Sequence, residues 1–72
     1  MDTRTGRIYE SRDTAIAAGA FADDVQPVTV TGKTLRIEAG PFKGRIYDVM
    51  SNGRRGRRRR DLEMAYRAKE GQ

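Results

Sequence analysis

The densest chemical feature of the chain is residues 53–60, which read Gly-Arg-Arg-Gly-Arg-Arg-Arg-Arg. Six of these eight positions carry a guanidinium group and none carries a carboxylate. Each guanidinium presents a planar fork of N–H donors that matches two phosphate oxygens at once. Burying so many charges without partners would be strongly unfavourable. The composition therefore predicts that this segment lies in water or against a polyanion.

The charge of the chain is unevenly distributed. Residues 1–31 hold three basic and five acidic side chains, whereas residues 32–72 hold twelve basic and five acidic ones, and the net charge is +5. A nucleic-acid backbone is the commonest repeating polyanion, and arginine-rich segments are a familiar RNA-binding mode, so we expect RNA slightly ahead of DNA. About six phosphate contacts predict a salt slope near −5 on logarithmic axes. The expected contacts are Arg54, Arg55, Arg57, Arg58, Arg59 and Arg60.

The residues around the arginines predict a small α+β domain with an antiparallel sheet of about four strands. Leu35 and Ile37 alternate with Arg36 and Glu38, which is typical of a half-buried strand. Gly40-Pro41 and Asn52-Gly53 are turn signals that bound another strand. The predicted strands cover residues 7–10, 28–32, 34–39 and 44–49.

Two helices are predicted from their end signals. Ser11 can cap a short alanine-rich helix that ends at Gly19, and Asp61 can cap a final helix that ends at Gly71. Arginines placed just before a helix oppose the positive end of its dipole, so we expect this segment to be frayed or extended until a phosphate binds. The predicted organisation is an α+β domain over 1–52, an arginine-rich arm over 53–60 and a C-terminal helix over 61–72.

A second basic stretch, residues 32–49, contains an alternating strand, then Gly-Pro-Phe-Lys-Gly, then a strand ending in Val49. This stretch resembles the KOW motif of NusG-type transcription factors and several ribosomal proteins, although Tyr47 stands where that family carries a glycine. The resemblance implies two strands of an SH3-like β-barrel whose loops contact RNA, the ribosome or RNA polymerase. On this resemblance, the contact candidates are Pro41, Phe42 and Lys43 in the turn, with Lys33 and Arg45.

The aromatic residues offer a second kind of contact. Phe42 and Tyr47 flank basic residues, and aromatic rings beside cations can stack nucleic-acid bases. The competing interpretation is that a domain this small needs its five aromatic residues in its core. Phe42 and Tyr47 are therefore candidate stacking residues as well as candidate core residues.

Several function classes are not expected. The chain contains no cysteine and no histidine, which removes disulfides, the usual zinc sites and the common nucleophile–base pairs. Asp23 and Asp24 are adjacent, and on an extended backbone such side chains point in opposite directions, which disfavours a magnesium site. We therefore expect no catalytic residue, metal or cofactor, and not an enzyme. No apolar run approaches the roughly 20 residues of a membrane span, so the expected location is cytoplasmic.

Two other functions fit the same composition. The size and uneven charge resemble small accessory proteins encoded by bacteriophages. Such a protein could dock on RNA polymerase or the ribosome and change its activity, or it could be a minor virion component that contacts packaged genome and capsid protein. The host cytoplasm or the virion would then be its location. The number of large apolar residues is small, which also makes a homo-oligomer a candidate state.

Overall fold

The computed structural model describes residues 1–70, which form an antiparallel sheet and two α-helices. The strands pair in sequence order, so the first and the fourth strand are the two edges of an open sheet. The predicted α+β class with about four strands is confirmed. The elements in chain order are α1 (Arg12–Ala17), a short 3-10 helix (Ala22–Asp24), β1 (Val28–Thr31), β2 (Thr34–Ile37), β3 (Ile46–Val49), β4 (Arg55–Arg58) and α2 (Arg60–Glu70).

The main core lies on one face of the sheet. Leu35 and Ile37 alternate along β2, and each side chain is only 1% exposed. Leu35 is paired with Tyr47 of β3, so the predicted hairpin of residues 34–49 is present, with its turn at residues 40–44. Since side chains on a strand alternate between faces, this register places Leu35 and Tyr47 on the same side. The cluster is Met1, Leu35 and Ile37, with Ile8, Val28, Phe42, Tyr47 and Val49 packed against it.

The first eight residues run across the sheet from one edge to the other. Asp2 forms an antiparallel bridge with Val25, just before β1, and Arg7 forms one with Arg54, just before β4. The prediction of a strand at residues 7–10 is therefore wrong, because only the isolated bridge of Arg7 forms there. The fourth strand is instead built from the arginine segment. Within residues 1–70, β1 and β4 are not paired, so the sheet does not close into the barrel that the KOW resemblance implied.

Both predicted helices are present. The Thr14 N–H donates to Ser11 Oγ at 3.1 Å, which confirms Ser11 as the cap of α1. The helix α2 begins at Arg60, one residue before the predicted cap Asp61, and its predicted end at Gly71 lies outside the described residues. Among residues 1–70, no helix has both the length and the apolar character that crossing a membrane requires.

Candidate nucleic-acid interface

Half of the arginine run is part of the sheet. Residues 55–58 form β4, which pairs antiparallel with β3 through Val49–Arg55 and Tyr47–Arg58. Between these two pairs the register shifts, so Gly56 and Arg57 together lie opposite one residue of β3. Such a bulge bends a strand and changes the direction of its side chains. The backbone of residues 55–58 is therefore paired within the sheet, and of the expected frayed or extended conformations these residues adopt the extended one, as a strand.

Arg58 has a carboxylate partner inside the protein. Its Nε donates to Glu63 Oε2 and its Nη2 to Glu63 Oε1, both at 2.8 Å, which is the paired geometry that matches a guanidinium to a carboxylate. Glu63 is only 3% exposed and also accepts the Ile46 N–H at 3.3 Å. The hydrogen bonds from Arg58 hold the pKa of Glu63 below its usual value, and the same bonds raise the pKa of Arg58. This pair joins the first turn of α2 to β3 and β4.

Arg59 is held between two aspartates. Its Nη1 donates to Asp48 Oδ1 at 3.1 Å, and its Nη2 donates to Asp61 Oδ2 at 3.0 Å. These hydrogen bonds raise the pKa of Arg59, the bond to Asp61 having the larger effect. The bond from Arg59 likewise lowers the pKa of Asp61. Arg59 offsets one of the two carboxylate charges, so Asp48, Arg59 and Asp61 together keep a net charge of −1 beside the neighbouring arginines.

Arg55 also has its contacts within the protein. Its Nη1 donates to the Thr3 carbonyl at 2.9 Å, and its guanidinium carbon lies 5.3 Å from the centroid of the Tyr47 ring. A guanidinium at that distance is attracted to the aromatic ring. Arg55, Arg58 and Arg59 are each partly buried, and we call these three the inner arginines.

The remaining arginines of the run are exposed. Arg54 precedes β4, Arg57 lies in the bulge and Arg60 begins α2, so they occur at every third position. None of the three makes an ion pair with another described residue. We call these three the outer arginines. Arg57 and Arg60 line a shallow groove, whose other lining residues are Asp48, Arg58, Arg59 and Asp61. This division leaves three guanidiniums of the run available to an external anion.

One further arginine joins the surface, and the sequence patterns did not identify it. Arg7 is exposed, and its backbone is paired with that of Arg54: the Ile8 N–H donates to Gly53 O at 2.9 Å and the Arg55 N–H donates to Gly6 O at 2.8 Å. Paired residues of an antiparallel bridge lie about 5 Å apart at Cα. The short repeat of Gly6-Arg7-Ile8-Tyr9-Glu10 at residues 44–48 does not predict this contact, because its counterpart Arg45 lies against Phe42.

The other predicted contact residues are dispersed around the sheet. Lys33 is exposed in the turn between β1 and β2, at the end of the sheet where Arg54 enters β4. Lys43 and Pro41 are exposed in the turn between β2 and β3, at the opposite end. Arg45 is partly buried, with its guanidinium carbon 4.2 Å from the centroid of the Phe42 ring. These residues flank the outer arginines without forming a single cluster with them.

The two stacking candidates are both partly buried. Phe42 and Tyr47 pack against the main core, and each already faces a guanidinium, Arg45 and Arg55 respectively. A base would have to compete with that guanidinium for the ring face. Their present contacts therefore favour the core role, and base stacking by either ring stays a prediction.

Comparisons with protein-family models, with curated proteins and with solved structures find no match to this chain. The interpretation of its function therefore rests on the arrangement of charges described above. The hairpin that the KOW resemblance implied is present, with Gly40 and Gly44 at positive φ on either side of its turn. The resemblance itself stays a prediction.

Proposed function

We propose that the protein is a non-catalytic nucleic-acid-binding protein that contacts the phosphate backbone through its outer arginines, with Arg7 beside them. The observation that supports this most directly is the division of the arginine run. Every carboxylate that pairs with the run pairs with Arg58 or Arg59, among the described residues. Arg54, Arg57 and Arg60 are left on a paired strand and a helix start without such a partner.

The division also changes the expected strength of binding. Three or four phosphate contacts, rather than six, predict a salt slope near −3 for duplex DNA. Affinity should then fall about 60-fold between roughly 50 and 200 mM salt. Contacts of this kind are made to phosphate oxygens, so they place the protein on the strand without selecting a base sequence. We propose RNA slightly ahead of DNA, because arginine-rich segments are a familiar RNA-binding mode and the hairpin of residues 34–49 resembles the KOW motif, whose loops contact RNA.

The test is fluorescence anisotropy of labelled single-stranded RNA, single-stranded DNA and duplex DNA at roughly 50 and 200 mM salt. The proposal expects binding to all three probes that weakens with salt, and the order of their affinities identifies the preferred nucleic acid. Absence of binding to every probe at the lower salt concentration would refute it. The protein-docking alternative would then be next, tested by co-purification with RNA polymerase, ribosomes or capsid protein.

A further inference from the structure

The outer edge of β1 presents unused backbone hydrogen-bonding groups. The Glu38 N–H donates to Pro27 O at 2.9 Å, and β1 pairs with β2 through Val28–Ile37, Thr29–Arg36, Val30–Leu35 and Thr31–Thr34. Hydrogen-bonded and non-hydrogen-bonded pairs alternate along an antiparallel ladder. The backbone of Thr29 and Thr31 is therefore bonded to β2, and the N–H and C=O groups of Val28 and Val30 point away from the sheet. The Ile37 N–H agrees with this, since it donates to Arg45 O at 2.9 Å and so points towards β3.

The first residues of the chain already pair with the same edge, just before β1 begins. Met1 O accepts the Gln26 N–H at 2.9 Å, the amino group of Met1 donates to Gln26 O at 2.8 Å, and the Thr3 N–H donates to Asp24 O at 2.8 Å. Residues 1–3 thus cover the backbone of residues 24–26 as a short antiparallel partner. Within residues 1–70, no strand continues this pairing beside Val28–Thr31. The uncovered part of the edge is limited to β1 itself.

The side chains of β1 do not protect this edge. The strand reads Val-Thr-Val-Thr, so it contains no charge, no proline and no glycine, and the side chain of Val30 is 51% exposed. Natural sheets usually protect an edge with charged residues, proline or a bulge. The opposite edge has such protection, because β4 carries arginines and a bulge and its start is covered by Gly6–Ile8. The two edges of one sheet therefore differ sharply in their capacity to accept another strand.

We propose that a second copy of this chain pairs with β1, strand to strand and antiparallel, about a two-fold axis. A two-fold axis brings the same strand from both copies together, so each copy supplies the donors and acceptors that the other lacks. The arginine edges then lie at the far ends of the combined sheet, where the positive charges repel each other least. A charged foreign strand would form the same backbone hydrogen bonds but no ion pair with the uncharged β1, whereas Val-Thr-Val-Thr against itself also pairs β-branched side chains across the strands.

The first test is sedimentation velocity of the nuclease-treated protein over a concentration series. Val30→Pro removes the outward N–H and leaves the β1–β2 hydrogen bonds in place, and Val30→Lys places a charge on the exposed edge without changing the backbone. Val30→Thr is the matched control, since it keeps a β-branched, uncharged side chain. We expect the wild type and Val30→Thr to form a reversible dimer. The dissociation constant should rise at least tenfold in the other two variants, because Val30→Pro loses two hydrogen bonds per dimer and Val30→Lys brings like charges together across the paired strands.

Amide hydrogen exchange identifies the interface. In dilute samples the amides of Val28 and Val30 should exchange fast, whereas those of Thr29 and Thr31 should be protected by β2. Raising the concentration should protect Val28 and Val30 selectively. A wild type that stays monomeric throughout, a dimer that leaves these two amides unprotected, or equal dimerisation by Val30→Lys would each overturn the proposal. None of these outcomes depends on nucleic-acid binding.

Discussion

Neutralising the outer arginines should reduce phosphate binding without destabilising the fold. The variant Arg54→Gln/Arg57→Gln/Arg60→Gln removes three charges whose side chains make no ion pair within the described residues. The matched variant Arg55→Gln/Arg58→Gln/Arg59→Gln removes three charges from the inner arginines, so both variants fall from the net charge of +5 by the same amount. Any difference between them therefore reports position and not total charge.

The magnitude follows from the number of contacts. Each phosphate contact to duplex DNA contributes about 0.9 to the slope of log affinity against log salt, so the outer variant should have a slope flatter by about 2.7. For single strands, where each contact contributes about 0.7, the slope should be flatter by about 2. The melting temperature of the outer variant should change little, because exposed side chains without partners contribute little to stability.

The inner variant should behave in the opposite way. It leaves the buried carboxylate of Glu63 without the two hydrogen bonds from Arg58, and an unpaired buried charge destabilises a fold strongly. Its melting temperature, followed by circular dichroism, should fall clearly, while its salt slope, measured below that temperature, stays near that of the wild type. If this triple variant is unfolded at every temperature, Arg55→Gln replaces it and is compared with Arg57→Gln, so that each variant loses one charge; Arg55 donates one hydrogen bond, to the Thr3 carbonyl.

The assay is fluorescence anisotropy over a salt series, with the melting curve of each variant recorded in the same buffer. Equal flattening of the slope in both triple variants would refute the reasoning, because binding would then follow net charge alone. A flatter salt slope in the folded inner variant alone would contradict the assignment of the outer arginines as the phosphate contacts. That result would mean that phosphate displaces the carboxylates from Arg58 and Arg59, and that the inner arginines form the binding site.

Three further results are expected. Glu63→Gln should lower the free energy of unfolding by about 1–2 kcal/mol near neutral pH in urea titrations. Because the pKa of Glu63 is lowered in the folded state, the wild type should lose this contribution as pH falls below about 4.5, the ordinary glutamate value, so the difference in stability between wild type and variant should shrink there. Gly6→Ala should destabilise by about 1–2 kcal/mol, since Gly6 has φ near 80° and an added Cβ would lie 2.8 Å from Arg55 Cγ. Arg7→Gln should flatten the salt slope by about 0.9, whereas Arg12→Gln on α1 should leave it unchanged.

Much of the fold could be predicted because its signals are local. The cap at Ser11, the alternation of Leu35 and Ile37 and the glycine-bounded turn of the hairpin each act within a few residues, and the structure confirms all three. The fourth strand could not be predicted in the same way. Residues 55–58 have no apolar alternation, so their pairing with β3 depends on partners that are distant in sequence.

Local sequence patterns also could not predict which arginines of the run have partners within the protein. Arg58 and Arg59 are adjacent and chemically identical, yet Arg58 contacts Glu63 and Arg59 contacts Asp48 and Asp61. Which arginine meets which carboxylate depends on the bulge in β4 and on the position of α2. Composition therefore led to the expectation of a polyanion ligand, which stays a prediction, whereas the side chains without an internal partner could only be identified from tertiary contacts.

The pairing of β4 with β3 has a consequence for the thermodynamics of association. A flexible arginine tail loses backbone conformational freedom when it binds, at a cost of about 1–2 kcal/mol for each residue that becomes fixed. In this protein the backbone of residues 55–58 has already lost that freedom on folding. The entropy change on association should therefore be dominated by released counterions, and the heat-capacity change should be small, in contrast to the large negative value that accompanies coupled folding and binding.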